Sequence, residues 1–253
     1  MNSTQRFSDR VENYIRYRPR YPRAVLDVLR REIGLAAEWQ VADLGSGTGI
    51  SCELFLAEGH AVYGVEPNEA MRLAAERLLV GFPMFHSVEG TAEATTLDAA
   101  SFDLVVAAQA FHWFEIPRVR AECQRILRPD GWAVLLWNTR QIDTTPFLCE
   151  YEALLQRHGT DYAAVQHINI DAGQMDAFYG AGKWRRFTVE NAQLLDLEGL
   201  RGRLLSSSYV PNLGEPGCDE MLADLERLFA KHASVGKVSL DYVTEIYVGK
   251  MRN

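Results

Sequence analysis

VADLGSGTG, residues 41–49, decides how the rest of the chain is read. A short apolar strand, WQVADLG (39–45), runs into glycines at alternate positions, Gly45, Gly47 and Gly49. A helix follows: in TGISCELFLAEG (48–59), Ile50, Leu54 and Ala57 share one face and Gly59 offers a C-terminal stop. Glycines at a strand-to-helix turn permit a tight bend and a close approach of ligand to backbone. The helix start beyond them carries N–H groups without intrahelical partners.

Outward from that turn, strands and helices alternate. HAVYGVE (60–66) is a second strand ending on Glu66, which lies 66 − 45 = 21 residues after the first glycine. An acid at that place can accept both hydroxyls of a ribose. Asn68 caps the helix NEAMRLAAERLL (68–79), whose inner face is Met71, Ala74, Ala75 and Leu78. MFHSVEG (84–90) is a third, weaker strand and SFDLVVAA (101–108) a fourth. PRVRAECQRIL (117–127) is a helix with Pro117 in its first turn. PDG (129–131) is a turn, and GWAVLLWN (131–138) is a fifth strand. The alternation with short links predicts an α/β, doubly wound parallel sheet covered by helices on both faces. After Asn138 the rhythm breaks. KWRRFTVE (183–190) and VSLDYVTEIYVGK (238–250) read as strands, LEGLRGRLLSS (197–207) and DEMLADLERLFAKH (219–232) as helices.

The whole chain narrows the function classes. A formal charge of −8 argues against binding nucleic acid through its phosphates. Six arginines in RYRPRYPRAVLDVLRR (16–31) are a local exception, either a solvated basic helix end or an anion site. No run reaches the ~18–20 apolar residues of a membrane span, and MNSTQRFSDR has no apolar signal region. Cys52, Cys123, Cys149 and Cys218 lie far apart with no CxxC pair, so neither a disulfide framework nor a metal site is expected. A soluble cytoplasmic protein with no membrane partner is the expectation.

A dinucleotide enzyme requires G-x-G-x-x-G, but the sixth place here is Ile50 and glycine falls at the fifth. Asp43, two residues before Gly45, would face an anionic pyrophosphate poorly; a cationic ligand with a ribose suits it better. The D-x-G-x-G-x-G pattern resembles the first motif of the class I S-adenosylmethionine-dependent methyltransferases, and the resemblance runs over roughly residues 40–138. It implies S-adenosyl-L-methionine as cofactor, with Gly45, Gly47 and Gly49 under its amino-acid end, Asp43 in support and Glu66 on the ribose. It implies adenine between Thr91 and Ala92, in EGTAEA (89–94), with recognition of the adenine amino group by backbone or by Glu93. The implied fold is a Rossmann-like, mostly parallel seven-stranded sheet in a single domain. Its expected parts are an N-terminal helical lid (1–37), a cofactor-binding core (38–138), cap or substrate elements (139–182 and 191–235) and C-terminal strands (183–190 and 238–250).

AQAFHWF (108–114) follows the fourth strand, at the edge where ligands of parallel sheets sit. Its rings either pack under the next helix or wall a cationic ligand, an attraction of ~0.5–2 kcal/mol. Gln109 is expected to bond the methionine end, and His112 to act as general base or only as a hydrogen-bond donor. Trp113 is expected on the substrate. The segment lacks the N/D-P-P-Y/F motif of base-N6 and glutamine methyltransferases, and no Pro-Cys pair marks a cytosine-C5 enzyme. A small-molecule acceptor is therefore expected.

Tyr14, Arg18, Pro19, Tyr21 and Pro22 form Y-x-x-x-R-P-x-Y-P, which resembles the N-terminal segment of a subgroup similar to trans-aconitate methyltransferases, enzymes that esterify small polycarboxylic acids. That resemblance implies Tyr14 near the sulfonium or substrate, and Arg18 on a carboxylate of cofactor or acceptor. Tyr209, Arg185 and Arg186 are candidates for the acceptor pocket. The expected function is methyl transfer to a small molecule, with a carboxylate oxygen ahead of other acceptors. The alternatives are a noncatalytic S-adenosylmethionine-binding sensor or interaction protein and, further off, an NAD-dependent oxidoreductase.

Overall fold

The computed structural model describes residues 15–160, 162 and 171–251, and a seven-stranded sheet runs through them. Its strands are β1 (Gln40–Leu44), β2 (Ala61–Val65), β3 (Phe85–Val88), β4 (Phe102–Ala108), β5 (Leu127–Arg140), β6 (Trp184–Leu195) and β7 (Val238–Lys250). They stand in the order β3-β2-β1-β4-β5-β7-β6. The first five pair in parallel; β7 runs antiparallel to both β5 and β6. This is the doubly wound, mostly parallel α/β sheet that the alternation predicts.

The central strands are apolar on both faces because helices cover both. In β4, Leu104 and Val106 enter one core while Val105 and Ala107 enter the other, as period-two alternation requires. The first core takes Val25, Leu26 and Leu29 of α1 (Ala24–Ile33) and Cys52, Phe55 and Leu56 of α2 (Ile50–Leu56). The helix α3 (Glu69–Leu78) starts at Asn68, whose side chain accepts from Met71 N–H, and packs beside β3. The opposite core takes Val119, Cys123 and Ile126 of α4 (Ile116–Ile126). It also takes Met175, Phe178 and Tyr179 of α6 (Ala172–Tyr179). Each such side chain contributes about 1.5–3 kcal/mol when fully buried. A third apolar cluster joins α5 (Pro146–His158), α7 (Leu197–Leu205) and α8 (Cys218–His232) to Val238, Leu240 and Tyr242 at the start of β7.

Four boundaries differ from the sequence expectation. Residues 24–33 are not part of a lid: α1 buries five residues against the sheet. The segment 172–179 is not cap: Tyr179 Oη hydrogen-bonds the Ala133 and Tyr247 carbonyls at 3.3 and 3.1 Å, beneath the sheet. β6 continues past residue 190 to Leu195, paired to β7 throughout. The PDG segment lies within β5, as an irregularity in which Phe102 faces Leu127 and Leu104 faces Trp132.

β1 lies between β2 and β4, so the strand order reverses there. The crevice outside the carboxyl ends of these strands is where such sheets bind ligands. The glycine turn, Glu66 and the AQAFHWF segment all emerge at that edge.

Candidate active site

The turn after β1 is held down before any ligand is considered. The Gly45 and Ser46 N–H groups both donate to the Val65 carbonyl, at 2.9 and 3.1 Å. Gly45 has φ +67°, and a Cβ there would stand 2.8 Å from the Ala110 Cβ. Gly49 has φ +83°, and its Cβ would stand 2.6 Å from Leu79 Cδ1. Gly49 therefore serves the packing of α2 against the residue after α3, and it lines neither cavity described below. Asp43 is fully buried behind the turn. Its Oδ2 accepts from Ser51 Oγ at 2.5 Å and Cys52 Sγ at 3.2 Å, while Oδ1 has no hydrogen-bond partner. Burial pushes its carboxyl up to about 6 against those two donors. Asp43 ties β1 to α2 and also stays off the cavity walls.

Glu66 is on the wall. Its Oε2 accepts from Gly47 N–H at 2.9 Å and its Oε1 from Asn68 N–H at 2.8 Å. Burial raises its pKa, opposed by those two backbone donors and by Arg72. Two backbone donors fix the carboxylate in one orientation, and each oxygen keeps a lone pair for a ligand hydroxyl. Glu66 lines a cavity of about 320 Å³ with Asn68, Met71, Thr91, Ala92, Glu93 and Phe114. Thr91 and Ala92 lie on this wall beside Met71 and Phe114. Glu93 is partly committed: its Oε1 accepts from Glu115 N–H at 2.9 Å. The loop is pinned from below by Glu122, a residue the sequence reading passed over. Its Oε1 accepts from Thr95 N–H at 2.9 Å and Thr95 Oγ1 at 2.5 Å.

A second cavity of about 260 Å³ adjoins the first, sharing Gly45, Gly47, Ala108, Gln109 and Trp113. Its further walls are Thr48, Ile50 and Ser51 on one side, and His112, Trp137, Asn138, Ser208, Tyr209 and Arg18 on the others. On these walls the buried Thr48 Oγ1 and His112 Nδ1 have no hydrogen-bond partner among the described residues. Buried polar atoms are nearly always satisfied, so the pair fits a polar ligand lying across this cavity.

The AQAFHWF segment divides residue by residue. Phe111 is core, with its ring 4.8 Å from Phe178 and 6.0 Å from Phe114. Phe114 faces the first cavity, His112 the second, and Trp113 both. Gln109 has φ +55°, a left-handed conformation that costs a branched or long side chain about 1 kcal/mol or more. Its Nε2 donates to the Asn138 carbonyl at 3.1 Å, which leaves Oε1 for a donor on a ligand. Burial lowers the His112 pKa to about 4. At neutral pH the ring is uncharged and weakly basic, which disfavours the role of general base.

The described part of the arm crosses the second cavity at residues 17–21. Arg18 Nη2 donates to the Ser206 carbonyl at 2.8 Å, and Gln193 Nε2 to the Tyr17 carbonyl at 3.0 Å. The Arg20 carbonyl accepts from Asn191 Nδ2 at 2.8 Å and from Asn138 Nδ2 at 3.4 Å. Asn138, at the end of β5, thereby links Gln109, the arm and β6, a role its position in the sequence gave no sign of. Tyr14 lies outside the described residues. Of the six arginines in 16–31, Arg16, Arg20, Arg23, Arg30 and Arg31 pair with carboxylates, and Arg18 reaches the cavity. Arg185 and Arg186 of β6 do not: they pair with Glu32 of α1 and Glu245 of β7.

Comparison with known proteins gives a concordant result. A family model described as a methyltransferase domain matches residues 42–135. An uncharacterized methyltransferase-like protein of Schizosaccharomyces pombe is 28% identical over 88% of this chain and 85% of its own. An uncharacterized methyltransferase of Mycobacterium tuberculosis is 39% identical over 53% of this chain, which spans about half (52%) of that relative. Among solved structures, a candidate type II methyltransferase of Anaeromyxobacter dehalogenans superposes with a TM-score of 0.66 at 23% identity, over 93% of this chain and 99% of its own. Geranyl diphosphate methyltransferase, solved in complex with S-adenosylmethionine, superposes with a TM-score of 0.50 at 14% identity, over 90% of this chain and 84% of its own. At these identities the two structures speak for the fold.

Proposed function

We propose that this chain is a class I, S-adenosylmethionine-dependent methyltransferase that transfers the methyl group to an oxygen of a small acidic acceptor, a carboxylate in first place. In this reading Glu66 accepts from the two ribose hydroxyls, and Thr91, Ala92, Met71 and Phe114 flank the adenine. Gln109 Oε1 and the turn at Gly45–Thr48 take the amino-acid end. The bound cofactor supplies a methyl group on a sulfonium, and the methyl carbon bonds to the acceptor oxygen as the C–S bond breaks. The chain's own contribution is alignment and exclusion of water, which together lower barriers by up to ~7–11 kcal/mol in favourable systems.

One observation carries the choice of acceptor. His112 is the histidine on the wall of the second cavity, and burial lowers its pKa to about 4. A base that weak does not take a proton from an alcohol or ammonium group efficiently near neutral pH. A carboxylate arrives already ionised and needs no base. Arg18, on the same cavity, supplies a guanidinium for its second oxygen or for the cofactor's carboxylate. His112 then contributes a hydrogen bond and shape.

The test is formation of S-adenosylhomocysteine with a panel of small carboxylic acids, alcohols and amines. Carboxylic acids are expected to turn over, with a rate nearly flat from about pH 6 to 9, since His112 is neutral and the acceptor ionised throughout that range. Turnover confined to alcohols or amines, rising with pH, would contradict the assignment.

A further inference from the structure

Arg203, in the last turn of α7, is 6% exposed. No carboxylate pairs with it among the described residues. Its hydrogen bonds go to neutral hydroxyls: Nε to Tyr242 Oη at 3.2 Å, Nη1 to Ser207 Oγ at 3.0 Å and, more weakly, to Ser206 Oγ at 3.5 Å. A guanidinium stays charged in proteins, and burying a charge costs several kcal/mol unless it is paired. The same cap shows the usual solution close by. Arg140 is also buried, and it bonds the Glu152 carboxylate and the Tyr162 hydroxyl. Arg203 has no such counter-charge among the described residues.

The charge does have a route to the second cavity. Arginine can only donate, so Ser207 Oγ accepts from it. The Ser207 hydroxyl in turn hydrogen-bonds the Tyr209 phenol. A serine that accepts from Arg203 has its own proton free for Tyr209 Oη, and that turns the Tyr209 proton outward. Tyr209 and Ser208 line the cavity. On the other side of the same short segment, Arg18 Nη2 donates to the Ser206 carbonyl. Residues 206–209 are therefore held between two guanidiniums, with Tyr209 on the cavity wall. Burial works to raise the Tyr209 pKa, and Arg203, the Ser207 bond, Arg18 and Arg140 outweigh it, so the phenol is a stronger donor than an ordinary tyrosine.

We propose that Arg203, acting through Ser207 and Tyr209, is a positioning residue that makes this wall of the acceptor cavity selective for an anionic group. The proposal rests on the acceptor reading given above and adds the residues that enforce it. Tyr209 touches the anion; Arg203 supplies the counter-charge from behind. A neutral acceptor of the same shape leaves the buried charge unmatched.

The test uses the full chain, titrated calorimetrically with malonate and with malonamide, its neutral counterpart, both without and with saturating S-adenosylhomocysteine. Malonate is expected to bind more tightly than malonamide. Tyr209→Phe keeps the ring packing and removes only the donor; it is expected to weaken malonate roughly tenfold, with malonamide and S-adenosylhomocysteine unchanged. Arg203→Met is expected to do the same or more. Should that variant not fold, Tyr209→Phe decides. Absence of malonate binding, equal binding of the two probes, or an unchanged malonate affinity in Tyr209→Phe would each overturn the proposal. Failure of S-adenosylhomocysteine to bind would count against the cofactor assignment instead, and the titrations without it would still decide the anion wall.

Discussion

Asp43 and Glu66 emerge from neighbouring strands, and burial raises the pKa of both. Glu66 meets the cavity and Asp43 does not. The distinction yields a prediction at the scale of one side chain. Asp43 rises from an ordinary 3.8 to about 6, so between those values the folded state binds more protons than the unfolded one. Folding stability is therefore lost as pH rises through that window. Asp43→Asn still accepts from Ser51 and Cys52 and has no charge to bury. Its stability relative to the native chain is expected to climb from near parity at pH 4 to a gain of up to roughly 3 kcal/mol by pH 7. Urea midpoints across that range check it, and a difference independent of pH would show that Asp43 is already ionised at no cost. Glu66 was legible in the sequence because strand end and spacing fix its place. The separation of Gly49 from the cavity was not, since its function depends on Leu79, thirty residues away.

At the scale of elements, the arm and α7 fit against each other at one glycine. A Cβ on Gly202 would stand 2.0 Å from the Tyr17 ring. Gly202→Ala is expected to lift residues 17–21 from α7, open the bonds after Arg16 and Arg20 to trypsin, and weaken acceptor binding. The global unfolding free energy should change by only about 1 kcal/mol, because the atoms met by the new Cβ belong to the Tyr17 ring of the arm. Wild-type resistance to trypsin in that variant would show that the ring moves aside and the arm stays. β1, β2, β4 and β5 were legible because each holds a near-continuous apolar run, and β3 (FHSV) chiefly through its place in the alternation. The later elements were not. β6 alternates exposed and partly buried positions through Arg185, Arg186, Glu190, Asn191 and Gln193, a polar pattern that disguises its second half. The packing of α6 under the sheet depends on Phe178 and Tyr179 finding Phe111 and the strand carbonyls, contacts no local pattern announces.

For the whole molecule, the net charge of −8 conceals a local inversion. Arg18 and the buried Arg203 converge on one segment beside the candidate reaction centre. Fold and family match agree on a methyltransferase core over residues 42–135, and arm and cap residues line the second cavity, where the proposed function puts the acceptor. The central claim is that the cleft at the β1–β4 reversal holds S-adenosylmethionine with Glu66 on its ribose. Calorimetric titration with S-adenosylhomocysteine, on the native chain and on Glu66→Ala with NAD as control, tests it most directly. The native chain is expected to bind S-adenosylhomocysteine and not NAD, and the variant to bind about ten- to a hundredfold more weakly, at about 1.4 kcal/mol per factor of ten. Unchanged affinity in a folded Glu66→Ala, or binding of NAD in place of S-adenosylhomocysteine, would contradict it.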